Sequence, residues 1–256
     1  MIRWLLTGLI FVSAPLLAHP YDSLIDSAAR RHGIDPIVMR SVVQKETSKK
    51  PWAFNCDGEG FFFDTKERAI IALWQISRNP WLVKIGISQK ETLRQFFPSE
   101  AQARSFLSAY QKAQYRVGKA AAVLTSDSGK SVSVGQARIR QLWVVNTDIG
   151  IAQVNYRFHG VTRARVQQWF DPAYNLDYAA SLIASHKKGG RSDLDAAADY
   201  HSKTASVRAI YMKKLLPIYQ SEKARAVTSL ATKSCCLPVR HTQLSRARLH
   251  LSLIHI

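Results

Sequence analysis

Glu46 is the first residue whose setting implies chemistry. It lies seven, four and three positions beyond Met39, Val42 and Val43, so on a helix it shares their apolar face. A carboxyl group on such a face is withdrawn from water, and the negative end of the helix macrodipole lies beside it; both favour the protonated form. An acid that keeps its proton near neutral pH can protonate a leaving group. The same spacing also suits a helix end that frays and leaves Glu46 in water. Asp57, Glu59 and Asp148 are the candidates for a second carboxylate. The Asp57-Gly58-Glu59-Gly60 run reads as a solvated turn. His159, His186 and His201 lack metal-ligand spacing, and neither a Ser-His-Asp order nor a phosphate-binding glycine loop is present. No metal and no organic cofactor is implied.

The elements that must hold Glu46 are legible on both sides of it. Residues 21–31 predict a short amphipathic helix that stops at His32-Gly33. Asp35 then offers an N-cap and Pro36 a first helical residue, so a second helix runs through Glu46 and ends before Pro51. From residue 57 to 145 the pattern changes. Two segments, FFFDTKERAIIALWQI and RQFFPSEAQARSFLSAY, join aromatics to a Ser or Thr cap and a helix, while NPWLVKIGI and ARIRQLWVV predict strands. From Asn146 the chain is expected to be helical again. One helix follows Asp171-Pro172 and stops at Gly189-Gly190, another covers DLDAAADYHS, and a last one is limited by Pro217.

The chain has 256 residues, 46% of them hydrophobic, which is enough for a sizeable core and excludes a disordered protein. Its 36 Lys and Arg against 18 Asp and Glu give a net charge of +18, which draws polyanions: nucleic acid, anionic lipid or an acidic wall polymer. Arg3 followed by the apolar run Trp4–Ala18 has the order of a secretory signal peptide. Export makes nucleic acid an unexpected partner, and no stable membrane span is expected once residues 1–18 are removed. Cys56, Cys235 and Cys236 form no disulfide framework or metal pattern; the one intrachain bridge open to them joins Cys56 to one of the adjacent pair. Residues 221–256 read as a tail, whose last six residues, LSLIHI, match an in-frame translation of a sequencing adapter.

Four short blocks in a fixed order resemble the lytic transglycosylase domain of the goose-lysozyme-like family. They are Gly33-Ile34-Asp35-Pro36 with Val43–Thr47, then Gly150-Ile151-Ala152-Gln153, then Phe170-Asp171-Pro172 through Asn175 and Leu182, and last Ala198-Asp199-Tyr200-His201. The resemblance implies a mainly α fold, a lysozyme-like helical domain formed by residues 19–56 and 146–220. A small α/β insert, 57–145, interrupts it and makes the whole α+β. It also implies cleavage of peptidoglycan glycan strands in the periplasm or cell envelope, with Glu46 as the catalytic acid. Gln153 and Tyr200 are then substrate-binding residues, with Thr47 and Asn155 along the cleft and Gly150 serving backbone geometry. Thr47 stands where the family has serine, and His201 where it has asparagine. Glu46 and Gly150 are 104 positions apart, more than the family usually allows, so the ends of the insert must meet in space. The insert and the NTDIGIAQVN wording most resemble enzymes that accompany conjugation or type IV secretion systems, which makes components of such systems expected partners.

Overall fold

A computed structural model describes residues 19–125 and 129–235, with side chains to residue 228. The signal-like segment 1–18 and the tail beyond Cys235 lie outside the described residues. The fold is mixed α+β, about 52% helical with two small sheets. In chain order the elements begin with α1 (Asp22–Arg31), α2 (Pro36–Thr47), β1 (Ala53–Cys56), β2 (Glu59–Phe62), α3 (Lys66–Arg78), β3 (Trp81–Gly86), β4 (Thr92–Phe97) and α4 (Glu100–Arg116). They continue with β5 (Val123–Leu124), β6 (Gln136–Gln141), β7 (Thr147–Ile149), β8 (Val154–Asn155) and a π-helical turn at Tyr156–Gly160. The chain then forms α5 (Val166–Trp169), α6 (Pro172–Ser185), α7 (Asp193–His201) and α8 (Ala205–Cys235).

The main core joins α1, α2, α6, α7 and α8 through fully buried Ile25, Met39, Val42, Leu176, Ile183, Ala197 and Leu215. Each buried Leu, Ile, Val or Met side chain contributes roughly 1.5–3 kcal/mol relative to exposure. Two helix starts follow from their sequence. Asp35 accepts from the Ile37 N–H at 2.8 Å and Asp171 from the Tyr174 N–H at 3.0 Å, each with proline at the first helical position.

The first sheet has the order β2-β1-β7-β8, all antiparallel. It corrects the expectation that the chain is helical from Asn146. Strands of three and two residues are too short to display a period of two, and they form because β1 offers β7 an edge, with Cys56 opposite Thr147. That pairing also brings the chain on either side of 57–145 together. The expected boundary at residue 57 cuts the β1–β2 hairpin, because the first aromatics of the FFF run complete β2.

The second sheet, β4-β3-β6-β5, packs against α4 around a separate small core of Val83, Ile85, Ala103, Leu107 and Ala137. Helix α3 instead lends Ala69, Leu73 and Ile76 to the main core.

Pro217 does not end the last helix. α8 passes through it to Cys235, so residues 221–235 of the expected tail are helical. The turn beyond the proline carries Glu222, which is buried and ion-paired with Lys49 at 3.0 Å, and that anchor outweighs the hydrogen bond the proline removes. α6 ends at Ser185, one turn before the glycine pair. Among the described residues no helix is long and apolar enough to cross a membrane.

Candidate active site

Glu46 occupies the last turn of α2. Val38, Met39, Val42 and Val43 bury the same helix. Its side chain is 14% exposed, and among the described residues the buried Oε1 has no hydrogen bond of regular geometry; the Tyr211 phenol faces it and Lys45 Nζ stands 3.5 Å away. The helix stops through two consecutive left-handed residues, Ser48 (φ 54°) and Lys49 (φ 61°). Their N–H groups return to Gln44 and Val43. Left-handed backbone costs non-glycine residues roughly 1–2 kcal/mol each. Lys49 holds the conformation from inside the protein, because its ammonium pairs with Asp22 at 2.7 Å and Glu222 at 3.0 Å while the side chain is 2% exposed. Burial alone would raise the Asp22 carboxyl, but the hydrogen bond and charge of Lys49 hold it below the usual carboxylate range.

Thr47 links this helix end to the next block. Its Oγ1 donates to the Ile151 carbonyl at 2.8 Å. The Gly150 turn is fixed from the other side by Asn175, which is fully buried on α6. The Asn175 Oδ1 accepts from the Ala152 N–H at 2.9 Å, and Nδ2 donates to the Ile149 and Trp169 carbonyls at 2.9 and 3.0 Å. Gly150 sits at φ 82°, and a methyl group there would stand 2.5 Å from both Asn175 Nδ2 and the Trp169 oxygen. Gln153, also left-handed at φ 54°, donates its amide to Gly150 at 2.8 Å and to Ala53 at 3.3 Å. Among the described residues only its Oε1 is left for a ligand, so it offers an acceptor and no donor.

Tyr200 is brought beside Glu46 by α7, but its hydroxyl donates to the Ala152 carbonyl at 2.7 Å. Burial, then the charges of Glu46 and Asp148, push its phenol well above the ordinary value. Helix α7 is fastened to α8 by Arg208, which reaches Asp195 at 2.6 Å and Asp199 at 2.8 Å; Arg191 also pairs with Asp199. His201 stacks on Tyr211 of α8 with ring centres 4.2 Å apart, and Lys45 Nζ lies 4.2 Å from the same ring. The Tyr211 phenol is buried beside Glu46, and burial followed by that charge raises it well above its ordinary value. Sequence reasoning missed Tyr211, one aromatic among the apolar positions of a helix.

Asp148 completes the group. It stands on β7 with Asn55 of β1 on one side and Asn155 of β8 on the other, a polar row across three strands. Asn155 donates to Asp148 at 2.8 Å and to Asn146 at 3.2 Å, and its Oδ1 caps the π-helical turn at Phe158. It therefore positions Asp148. Burial, reinforced by the charge of Glu46 and opposed by the Asn155 hydrogen bond and Lys130, pushes the Asp148 carboxyl up to about 6.

Asp57 and Glu59 lie elsewhere and do not form a solvated turn. Glu59 is 3% exposed and pairs with Lys84 at 3.0 Å, Arg140 at 3.0 Å and Arg94 at 3.7 Å, while Asp57 meets Arg140 at 2.7 Å. The cations come from β3, β4 and β6, so this cluster clamps the hairpin to the second sheet. Cys56 is a buried free thiol, and Cys236 lies outside the described residues. Among the described residues no three His, Cys, Asp or Glu side chains gather to hold a metal ion. No family model, curated protein or solved structure matches the chain.

Proposed function

We propose that the protein is an exported lytic transglycosylase with a lysozyme-like domain. It would cleave the β-1,4 bond between N-acetylmuramic acid and N-acetylglucosamine in peptidoglycan. The observation that carries the reading is the setting of Glu46: a carboxyl at a helix end with one oxygen buried, faced by Tyr200, Tyr211 and Asp148. Glu46 protonates the glycosidic oxygen as the C1–O bond breaks, and the substrate's acetamido oxygen supports the cationic anomeric carbon. The Glu46 carboxylate then takes the proton of the muramic 6-hydroxyl, whose oxygen closes the 1,6-anhydro ring. Gln153 Oε1 is placed to accept from a sugar group, while Thr47 and Gly150 keep the turn against α2. No cofactor enters this scheme.

The excess of basic residues suits an anionic wall polymer in the periplasm or cell envelope. Components of a conjugation or type IV secretion system are the partners we propose on the resemblance of the insert. A hydrolytic lysozyme is the second reading, favoured by Asp148 as a carboxylate beside Glu46.

The test uses the full chain on purified sacculi. Wild type should solubilise them, and Glu46→Gln should co-sediment with them but release nothing. Undiminished release by Glu46→Gln would remove Glu46 from the mechanism. Binding without release by wild type would leave a non-catalytic glycan-binding module.

A further inference from the structure

Asp148 has a place in the site that the one-acid scheme leaves unused. Its neighbours on β7, Thr147 and Ile149, line an apolar cavity of about 510 Å³ with Leu73, Trp74 and Tyr156. Alternation along the strand turns Asp148 to the opposite face, where Glu46 and Tyr200 both feel its charge or impose theirs on it. Oδ1 is engaged by Asn155 at 2.8 Å, and among the described residues Oδ2 has no hydrogen bond. One oxygen is thus fixed by the sheet and the other is open to a donor arriving beside Glu46.

We propose that Asp148 is a second catalytic carboxylate, accepting a hydrogen bond from the N–H of the substrate's acetamido group while Glu46 protonates the glycosidic oxygen. The inference rests on the transglycosylase reading. When the acetamido oxygen attacks C1 and the leaving oxygen takes the Glu46 proton, positive charge spreads onto the acetamido nitrogen. A carboxylate held against that N–H stabilises the charge and turns the carbonyl oxygen toward C1. When O6 displaces the acetamido oxygen, the charge disappears and Glu46 recovers its proton, so Asp148 begins and ends ionised. Gln153 cannot reinforce the carbonyl side, since its amide hydrogens are spent on Gly150 and Ala53.

The groups facing Asp148 are Asn55 and Asn155 across the sheet, Glu46 from α2, Tyr200 from α7 and Lys130 from the loop before β6. Burial holds the Asp148 carboxyl above the ordinary range, so the wild-type rate should fall as pH drops through its raised titration. Asp148→Asn keeps an oxygen for Asn155 and should fold. It should lower kcat about 100-fold, the size of a lost preorganised electrostatic contact, with KM little changed and the acid limb gone. Asp148→Glu should retain an acid limb. If wild type releases anhydro-muropeptides while Asp148→Asn matches its kcat and keeps its acid limb, the proposal is overturned and the transglycosylase reading stands. If wild-type products end in reducing sugars, Asp148 serves a water and the proposal is overturned in favour of hydrolysis. If wild type releases nothing, the reading itself fails and takes the proposal with it.

Discussion

Asn175 is the residue on which the geometry of the Gly150 turn depends most. Its fully buried amide accepts from the Ala152 N–H and donates to the Ile149 and Trp169 carbonyls. Truncation to Ala removes all three hydrogen bonds, at about 1–3 kcal/mol for each buried group left unpaired. The sum, about 3–9 kcal/mol, is a large part of the 5–15 kcal/mol typical of a folded domain. Asn175→Asp is the sharper variant. It is almost the same size and can still accept from the Ala152 N–H, but as a carboxylate it sets oxygen against the Ile149 and Trp169 carbonyls. Its folded-state pKa must therefore rise above the unfolded value. The stability of Asn175→Asp is then greatest below the unfolded carboxylate pKa of about 4 and is lost as pH rises through the folded one. Urea unfolding at pH 4.5 and 7.5 measures this directly. Asn175→Asp should be at least as unstable as Asn175→Ala at pH 7.5 and recover at pH 4.5. An Asn175→Asp variant within 1 kcal/mol of wild type at pH 7.5 would refute the claim that these two donated hydrogen bonds hold the turn.

Other perturbations follow from the same site. Lys49→Met leaves Asp22 and Glu222 buried without their shared cation and should cost about 3–5 kcal/mol in denaturant unfolding; neutralising all three residues together should recover much of it. A cost under 1 kcal/mol for Lys49→Met would show that the triad does not hold the end of α2. Tyr211→Phe removes the buried hydroxyl that faces Glu46, so turnover of sacculi should fall at least tenfold while thermal melts still show a folded protein; full turnover would place the hydroxyl outside the chemistry. Asp148 holds its proton to about 6 against an ordinary 3.8, so the folded state binds that proton more tightly than the unfolded one. That contribution is present below pH 4 and lost as pH rises through 6, by up to about 3 kcal/mol. Asp148→Asn should therefore gain on wild type between pH 4 and 7.5 in thermal melts; a constant gap would contradict the linkage.

The sequence carried the parts of the site that depend on local chemistry. Asp35-Pro36 and Asp171-Pro172 announce their helices because cap and proline act within a few residues. Glu46 was visible because three apolar residues define its face. What it could not display are contacts whose partners lie far apart in the chain. Lys49 reads as one of several lysines until Asp22 and Glu222, 27 and 173 positions away, close around it. Asn155 reads as a cleft residue, and only the register that sets it opposite Asp148 shows that it also supports that carboxyl. Pro217 misled because a helix-breaking tendency is local, while the burial that overrides it is not. Part of the positive charge likewise has a structural use, since Lys84, Arg94 and Arg140 surround Glu59.

The central claim is that Glu46 both gives and retakes a proton, so that the muramic 6-hydroxyl takes the place of water. Mass spectrometry of the fragments that wild type releases from sacculi tests it most directly. The account predicts muropeptides ending in 1,6-anhydro-muramic acid, each lighter by one water than its reducing counterpart. Reducing ends alone would contradict it.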